Sequence, residues 1–456
     1  MVETVDVVVV GLGVGGEALA GRLAEAGLAV VGIEPRLVGG ECPYFACVPT
    51  KMMVRAANAV AEARRVSRVA GHADVRPDWR PVAHRIRAEA TDDWNDQVAV
   101  DRLTAKGMRF VRGTGHLVGP GRVAVRTNDG EEHQYQASRA VVLATGTNPS
   151  IPPVPGLANT PYWTNREAVT VTDLPASLLV LGGGPIGLEF AQIFARFGVP
   201  VEVLEVADRL LPGEEPETSR LIERVFADEG IGVHTGLTIQ HIRYDWRGFT
   251  VQVAGGELTA GRLLVATGRR ADLAGLGVAN IGLDPNARYL AVDDHLRVAD
   301  GVYAIGDVTE HGGFTHMSMY HADIVTRDIL GQSGFLADYR AVPRVTFTDP
   351  EVGSVGLSES AAYDAGLNVR AGTSDLPSSA RGWIHGPGND GLIKLVVDAD
   401  RKVLVGATSA GPSGGEVLAV LTLAIHAEVP LDRIESMIPA YPTFHRAIAD
   451  ALANLA

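Results

Sequence analysis

The sequence predicts an α/β fold built on two copies of one β-α-β unit, followed by a C-terminal region of different pattern. Three observations carry this. The chain has 456 residues, 46% of them hydrophobic, and 53 glycines, the make-up of a compact, turn-rich α/β protein. A Gly-x-Gly-x-x-Gly turn occurs twice between an apolar run and a helical pattern, each time with a glutamate at the same distance. From about residue 341 the pattern changes to a last domain. At roughly 100 to 200 residues per domain, this length accommodates two to four domains.

The bulk charge excludes some classes of function. A formal net charge of -14 opposes binding to nucleic acid or to an anionic membrane surface, because both reward Lys and Arg. The first six residues are acidic and lack the basic start and small-residue cleavage site of a signal peptide. The apolar run that follows is broken by Gly11, Gly13, Gly15 and Gly16, too often to span a bilayer. The expectation is a cytoplasmic protein with neither nucleic acid nor membrane as partner.

Residues 7–10 are a continuous β-branched run, the mark of a strand buried on both faces. Gly11-x-Gly13-x-x-Gly16 follows, then Leu19, Leu23 and Ala26 at helical spacing up to Gly27. A second strand over residues 29–33 ends in Glu34. In such a unit the glycines allow a tight turn and close approach of backbone to a pyrophosphate. The helix N-terminus receives the negative charge, and the acid takes ribose hydroxyls. The unit recurs with a strand at 178–181, Gly182-x-Gly184-x-x-Gly187, a helix over 189–197 and a strand at 201–204 ended by Glu205. Each glutamate lies 23 residues after its first glycine, so we read a duplication with two Rossmann-like dinucleotide sites. Two such sites imply that one nucleotide passes electrons to the other. A carboxylate such as Glu205 accepts ribose hydroxyls and repels a 2′-phosphate, so a nicotinamide nucleotide bound there would be NADH rather than NADPH; Arg209 lies beyond the end of the strand.

Between the two units stand the only cysteines, Cys42 and Cys47, five positions apart. Five residues of regular helix advance about 7.5 Å, too far for a disulfide, so the two can pair only where a helix begins irregularly. Pro43 suits such a first turn, and a helix N-terminus favours a thiolate. In a reducing cytosol a lone cysteine pair points to catalysis more than to structure.

Residues 39–51, Gly-Gly-Glu-Cys-Pro-Tyr-Phe-Ala-Cys-Val-Pro-Thr-Lys, resemble the redox segment G-G-x-C-x4-C-x-P-x-K of the class I pyridine nucleotide-disulfide oxidoreductases, the lipoamide dehydrogenase, glutathione reductase and mercuric reductase group. The resemblance extends over the chain. Ala144-Thr145-Gly146 is similar to the point where the family's chain leaves the FAD domain, and residues 265–269, which include Gly268, to its return. Residues 302–307 resemble the final FAD motif, in which Asp307 binds the ribityl chain. Residues 342–357, 391–396 and 405–412 resemble the dimerisation domain.

The resemblance implies an FAD-binding domain at 1–148 with a return segment at 269–335, an NAD(P)-binding domain at 149–268, and an α+β dimerisation domain at 336–456. It implies FAD at Gly11, Gly13, Gly16, Glu34, Gly40, Glu41, Lys51, Thr145, Gly146 and Asp307. It places NADH at Gly182, Gly184, Gly187, Glu189, Glu205 and Gly268. By the same resemblance Cys42 is the interchange thiol facing a small-molecule substrate, Cys47 the thiolate against the flavin, and Lys51 the cation by the flavin N5. Glu189, read as a first-turn residue of the second helix, lies near nicotinamide and flavin. The protein is expected to be a homodimer whose tail completes the partner's site. No residue is assigned to a metal.

The tail departs from this pattern. Where the family's disulfide reductases carry His-Pro-Thr and, five residues after the His, a Glu, this chain has Tyr441-Pro442-Thr443-Phe444-His445-Arg446. A phenol that ionises near pH ~10 is a poor base at neutral pH. His445, about one helical turn on, is a candidate displaced base, Tyr441 a candidate hydrogen-bond donor, and Glu41, in place of the usual threonine, a candidate acid. A carboxylate beside Cys42 disfavours its thiolate unless it is paired. The leading expectation is electron flow from NADH through flavin to the cysteine pair and on to a small disulfide or thiol-reactive acceptor. The alternatives are a flavin-only quinone reductase, a mercuric or other metal-ion reductase, which resembles this chain in its tyrosine but carries tail cysteines absent here, and a lipoamide-dehydrogenase-like subunit of a larger complex.

Overall fold

In the computed structural model, which describes residues 2–456, the chain divides into two units. The first comprises residues 2–49, 84–150 and 269–339, and the second residues 50–83, 151–268 and 340–456.

The first unit is organised on an eight-stranded sheet. Its main path runs Arg297–Ala299, Val302–Ala304, Glu132–Leu143, Val2–Val10, Val30–Ile33, Arg109–Val111, and a hairpin of Gly113–Gly119 and Arg122–Thr127 continues from Glu132–Leu143. Val2–Val10 is central and parallel to both neighbours. Val8 and Val10 belong to one core, Val7 and Val9 to another, so the strand is buried on both faces as its β-branched run predicts. It begins at Val2, five residues before the apolar run, because the polar start pairs with residues 134–137 of the long strand. Helix Val14–Glu25 covers one face, and Gly27, at φ +89°, follows its end. Asn148–Pro149 and Arg269–Arg270, the outgoing and returning segments, pair as a short antiparallel ribbon.

In the second unit Leu178–Leu181 lies between Val201–Leu204 and Arg262–Val265, all parallel, with Gly232–His234 at the edge. The helix after the second glycine turn spans Pro185–Arg196, four residues earlier than its apolar pattern indicates, because Pro185 has the φ of a first helical residue and lacks only an N–H that needs no partner there. This corrects the placement of Glu189: it lies beyond the first turn and is buried, 6% exposed. The C-terminal part is a five-stranded antiparallel sheet, Pro343–Thr346, Glu351–Gly356, Val403–Gly411, Leu392–Asp398, Val369–Asp375, whose core it shares with helices Gly414–His426 and Ala447–Ala453. Among the described residues no helix is long and apolar enough to cross a membrane.

Candidate active site

The cysteine segment starts as irregularly as the spacing requires. Gly40, at φ +71°, leads into a single turn, Glu41–Tyr44, that carries Cys42. Phe45 ends this turn with φ -136° and ψ 0°, and a new helix, Cys47–Arg65, begins two residues later. Pro49 explains the break. As the third residue of the new helix it needs no N–H partner, but in a continuous helix its ring would meet the carbonyl of Phe45, four residues back. Both cysteines are half-buried. Cys47 Sγ lies 3.3 Å from the hydroxyl of Thr315, the first residue of helix Thr315–Ile329.

The first glycine turn lies beside this segment. Gly39 N–H donates to Leu12 O at 2.7 Å, and a Cβ on Gly40 would stand 2.9 Å from Gly13 Cα. The turn is tight below and open above. An added Cβ at Gly11 or Gly16 would meet backbone oxygen at 2.4 or 2.2 Å, whereas none at Gly13 would meet anything within 4 Å. The second turn repeats this, with contacts at 2.5 and 2.1 Å for Gly182 and Gly187 and open space at Gly184. Gly11 abuts Ala144 and Thr145, and Gly182 abuts Ala266 and Thr267, so the Ala-Thr-Gly triplets ending at Gly146 and Gly268 occupy equivalent positions. The acids also repeat. Glu34 accepts from Leu12 N–H at 3.0 Å and Arg36 N–H at 2.9 Å; Glu205 accepts from Gly183 N–H at 2.5 Å and Ala207 N–H at 2.7 Å. Each carboxylate thus fastens its glycine turn to its strand end and keeps lone pairs for hydroxyl donors. Burial pushes the Glu34 carboxyl up, against the two N–H donors that favour its charge.

Asp307 accepts from Gly313 N–H at 3.0 Å and from the Thr147 hydroxyl at 3.2 Å. Arg269 donates to both the hydroxyl and the carbonyl of Thr147, at 2.8 and 2.6 Å, and its other nitrogen stands 3.9 Å from the Glu41 carboxylate. The negative charge beside Cys42 therefore faces a guanidinium. In the second unit Lys51 Nζ lies 2.6 Å from buried Glu189 and 4.6 Å from the centre of the Phe347 ring, while Phe347 N–H donates to the other Glu189 oxygen at 2.9 Å. Two residues singled out separately in the sequence are one ion pair. The Arg209 guanidinium is committed to Leu211 O, Pro212 O and the Ser219 hydroxyl, at 3.0, 2.7 and 2.9 Å.

Tyr441 lies in irregular chain and is 73% exposed, and His445 sits in a separate short turn, Phe444–Arg446, bonded to the Thr443 hydroxyl at 3.3 Å. Thr315, Thr147 and Phe347 received no role from the sequence. Thr315 is 268 residues from its cysteine, and no local spacing signals such a contact.

Residues 5–322 match the pyridine nucleotide-disulphide oxidoreductase family, and residues 342–452 its dimerisation domain. The chain belongs to this family. Similar relatives include a mercuric reductase of Streptomyces lividans, 33% identical over 97% of this chain and 94% of its own, and a dihydrolipoyl dehydrogenase of Halobacterium salinarum, 32% identical over 98% and 95%. Among solved structures, the Cu(II) complex of the HOCl-induced flavoprotein disulfide reductase RclA from Escherichia coli matches with a TM-score of 0.87 at 26% identity, covering 99% of both chains. Family members bind FAD and use NAD(P)H, and this chain is an enzyme of the disulfide-reductase type.

Proposed function

We propose that the protein takes electrons from NADH and delivers them through the Cys42/Cys47 pair to a small disulfide or other thiol-reactive acceptor. The observation that carries this is the break between Glu41–Tyr44 and Cys47–Arg65, which sets one cysteine on each side of an irregular helix start. The residues fit two dinucleotides. Both glycine turns leave open space where a pyrophosphate needs close backbone, and both acids keep acceptor capacity. Bound flavin would supply the two-electron relay between reduced nicotinamide and the cysteines.

In this reading residues 1–148 with 269–335 hold FAD, 149–268 hold NADH, and 336–456 form the interface of a homodimer. Asp307 and Glu34 orient the first nucleotide. Glu205 discriminates against a 2′-phosphate, and Arg209, held within its own loop, offers that phosphate no cation. Glu189 holds the Lys51 ammonium, the cation that would stabilise reduced flavin. Cys42 attacks the acceptor and Cys47 resolves the mixed disulfide, with Arg269 offsetting the Glu41 charge that opposes the Cys42 thiolate. Tyr441 and His445 of a second copy donate and hold the proton at the leaving thiol.

A thiol-reactive metal ion is the second acceptor class, favoured by the mercuric reductase likeness and by Tyr441. An anaerobic NADH titration of the FAD-loaded protein tests the main reading. Uptake of about four electrons per flavin places the cysteines in the circuit, and uptake of about two removes them from it. Mercury(II)-dependent NADH oxidation, in place of oxidation driven by an aromatic disulfide, would transfer the assignment to the second class.

A further inference from the structure

The segment before helix Gln97–Ala105 has a backbone that its sequence does not favour. A π-helix, Ile86–Ala90, is closed by buried Thr91, whose hydroxyl donates to Ile86 O at 3.0 Å. Asp92, Asp93 and Trp94 then all have positive φ, 47°, 56° and 58°. Single non-glycine residues on that side are uncommon, and three in succession, one of them an indole, persist only where surrounding contacts hold them. π-turns, too, cluster at functional sites.

The hook formed in this way holds the first part of the redox segment on either side of Cys42. Trp94 Nε1–H donates to Tyr44 O at 3.2 Å, and its ring stacks on Phe45, with centroids 6.5 Å apart and planes at 23°. Tyr44 closes the turn that carries Cys42, and Phe45 is the residue at the break. Two residues beyond Trp94, the buried Asp96 carboxylate accepts from Val38 N–H at 2.7 Å and is held by Arg112 at 2.7 Å. Residues 38 and 44–45 therefore fix the stretch between them from one short piece of chain. Pro49 forbids a continuous helix but does not set how the two pieces meet. The hook holds the first piece at that junction, and Thr315 meets the second at Cys47.

We propose that Trp94 is a positioning residue for the Cys42/Cys47 couple, holding the helix break so that the two sulfurs remain within bonding reach. The assignment rests on the redox role proposed above for this pair. A restraint present in both oxidation states costs the flexible dithiol more than the already closed disulfide, so it favours the disulfide. Against glutathione, the protein S–S bond breaks as one S–S bond forms between two glutathione thiols, whose two protons and two electrons pass to Cys42 and Cys47.

The test equilibrates FAD-loaded wild-type, Trp94→Ala and Trp94→Phe proteins in glutathione buffers of graded ratio and counts alkylated thiols by mass. For Trp94→Ala we expect the reduction equilibrium to move about tenfold toward dithiol, roughly 30 mV. For Trp94→Phe, which keeps a ring on Phe45 but loses the N–H bond, the expected shift is about threefold. Trp246→Phe, in an exposed hairpin turn, serves as the control and follows the wild-type curve. If both Trp94 variants also follow it within about twofold while melting as the wild type does, the assignment is overturned and the redox reading stands. If the wild-type cysteines form no disulfide at any ratio, both fall. Should Trp94→Ala not fold, the Trp94→Phe curve decides alone.

Discussion

Cys47 and Thr315 meet as thiol and hydroxyl 3.3 Å apart. A hydroxyl hydrogen bond to an ionised partner contributes about 1.5–3 kcal/mol, more than one to a neutral partner, so Thr315 favours the Cys47 thiolate over its thiol. Replacing Thr315 by valine keeps the volume and removes the donor. We expect Thr315→Val to slow alkylation of Cys47 by iodoacetamide about tenfold at neutral pH, measured in a Cys42→Ser background so that one thiol is read. An unchanged rate would show that the hydroxyl points its proton elsewhere. Glu41 illustrates a second lesson at this scale. Its position beside Cys42 reads from the sequence as a charge opposed to the thiolate, but the effect depends on Arg269, 228 positions away in the chain. Adjacent charges are visible in a sequence, and their compensation is not.

Elements were legible where their determinants are local. The two glycine turns and their acids are encoded within 23 residues of each other, and both carboxylates bridge turn and strand end in the same way. The helix break is local too: the cysteine spacing and Pro43 point to an irregular helix start, and the structure adds Pro49 as the residue that enforces it. The left-handed run at residues 92–94 was not legible, since no residue type there demands positive φ and its stabilising contact spans 50 residues. Another element-scale joint was equally hidden. Lys394, on strand Leu392–Asp398, is 4% exposed and bonds Glu359, Glu215 and Glu217 at 2.7, 2.8 and 3.2 Å, tying that strand to the start of helix Pro216–Asp228 and to helix Glu359–Asp364. Burial works to lower the Lys394 pKa, but its bonds to Glu215 and Glu359 outweigh that and raise it. Lys394→Met leaves three carboxylates around an apolar chain, at a cost of about 3–5 kcal/mol. Hydrogen exchange of the Leu392–Asp398 amides is then expected to accelerate by about two to four orders of magnitude, whereas Lys394→Arg keeps most of the protection. Equal protection in all three proteins would mean that the cluster is not the joint we describe.

At the scale of the whole molecule, the proposed homodimer makes the active site a property of two chains. The match of residues 342–452 to the dimerisation domain supports this, and so does the exposure of large apolar side chains there: Trp383 at 79%, Leu423 at 63% and Ile438 at 95%. Tyr441, in the same sequence region, is 73% exposed. If the tail of one copy serves the cysteines of the other, defects in the two halves complement each other. A Cys42→Ser chain has no interchange thiol, and a chain with Tyr441→Ala and His445→Ala has no proton donor to lend. Homodimers of either are expected to be nearly inactive toward an aromatic disulfide with NADH. A mixed dimer places both defects in one site and none in the other. After unfolding and refolding of an equal mixture, half the dimers are mixed and half their sites are intact, so about a quarter of wild-type activity should return. If each site were built within one chain, the same mixture would remain at the level of its parents, because every chain carries one defect.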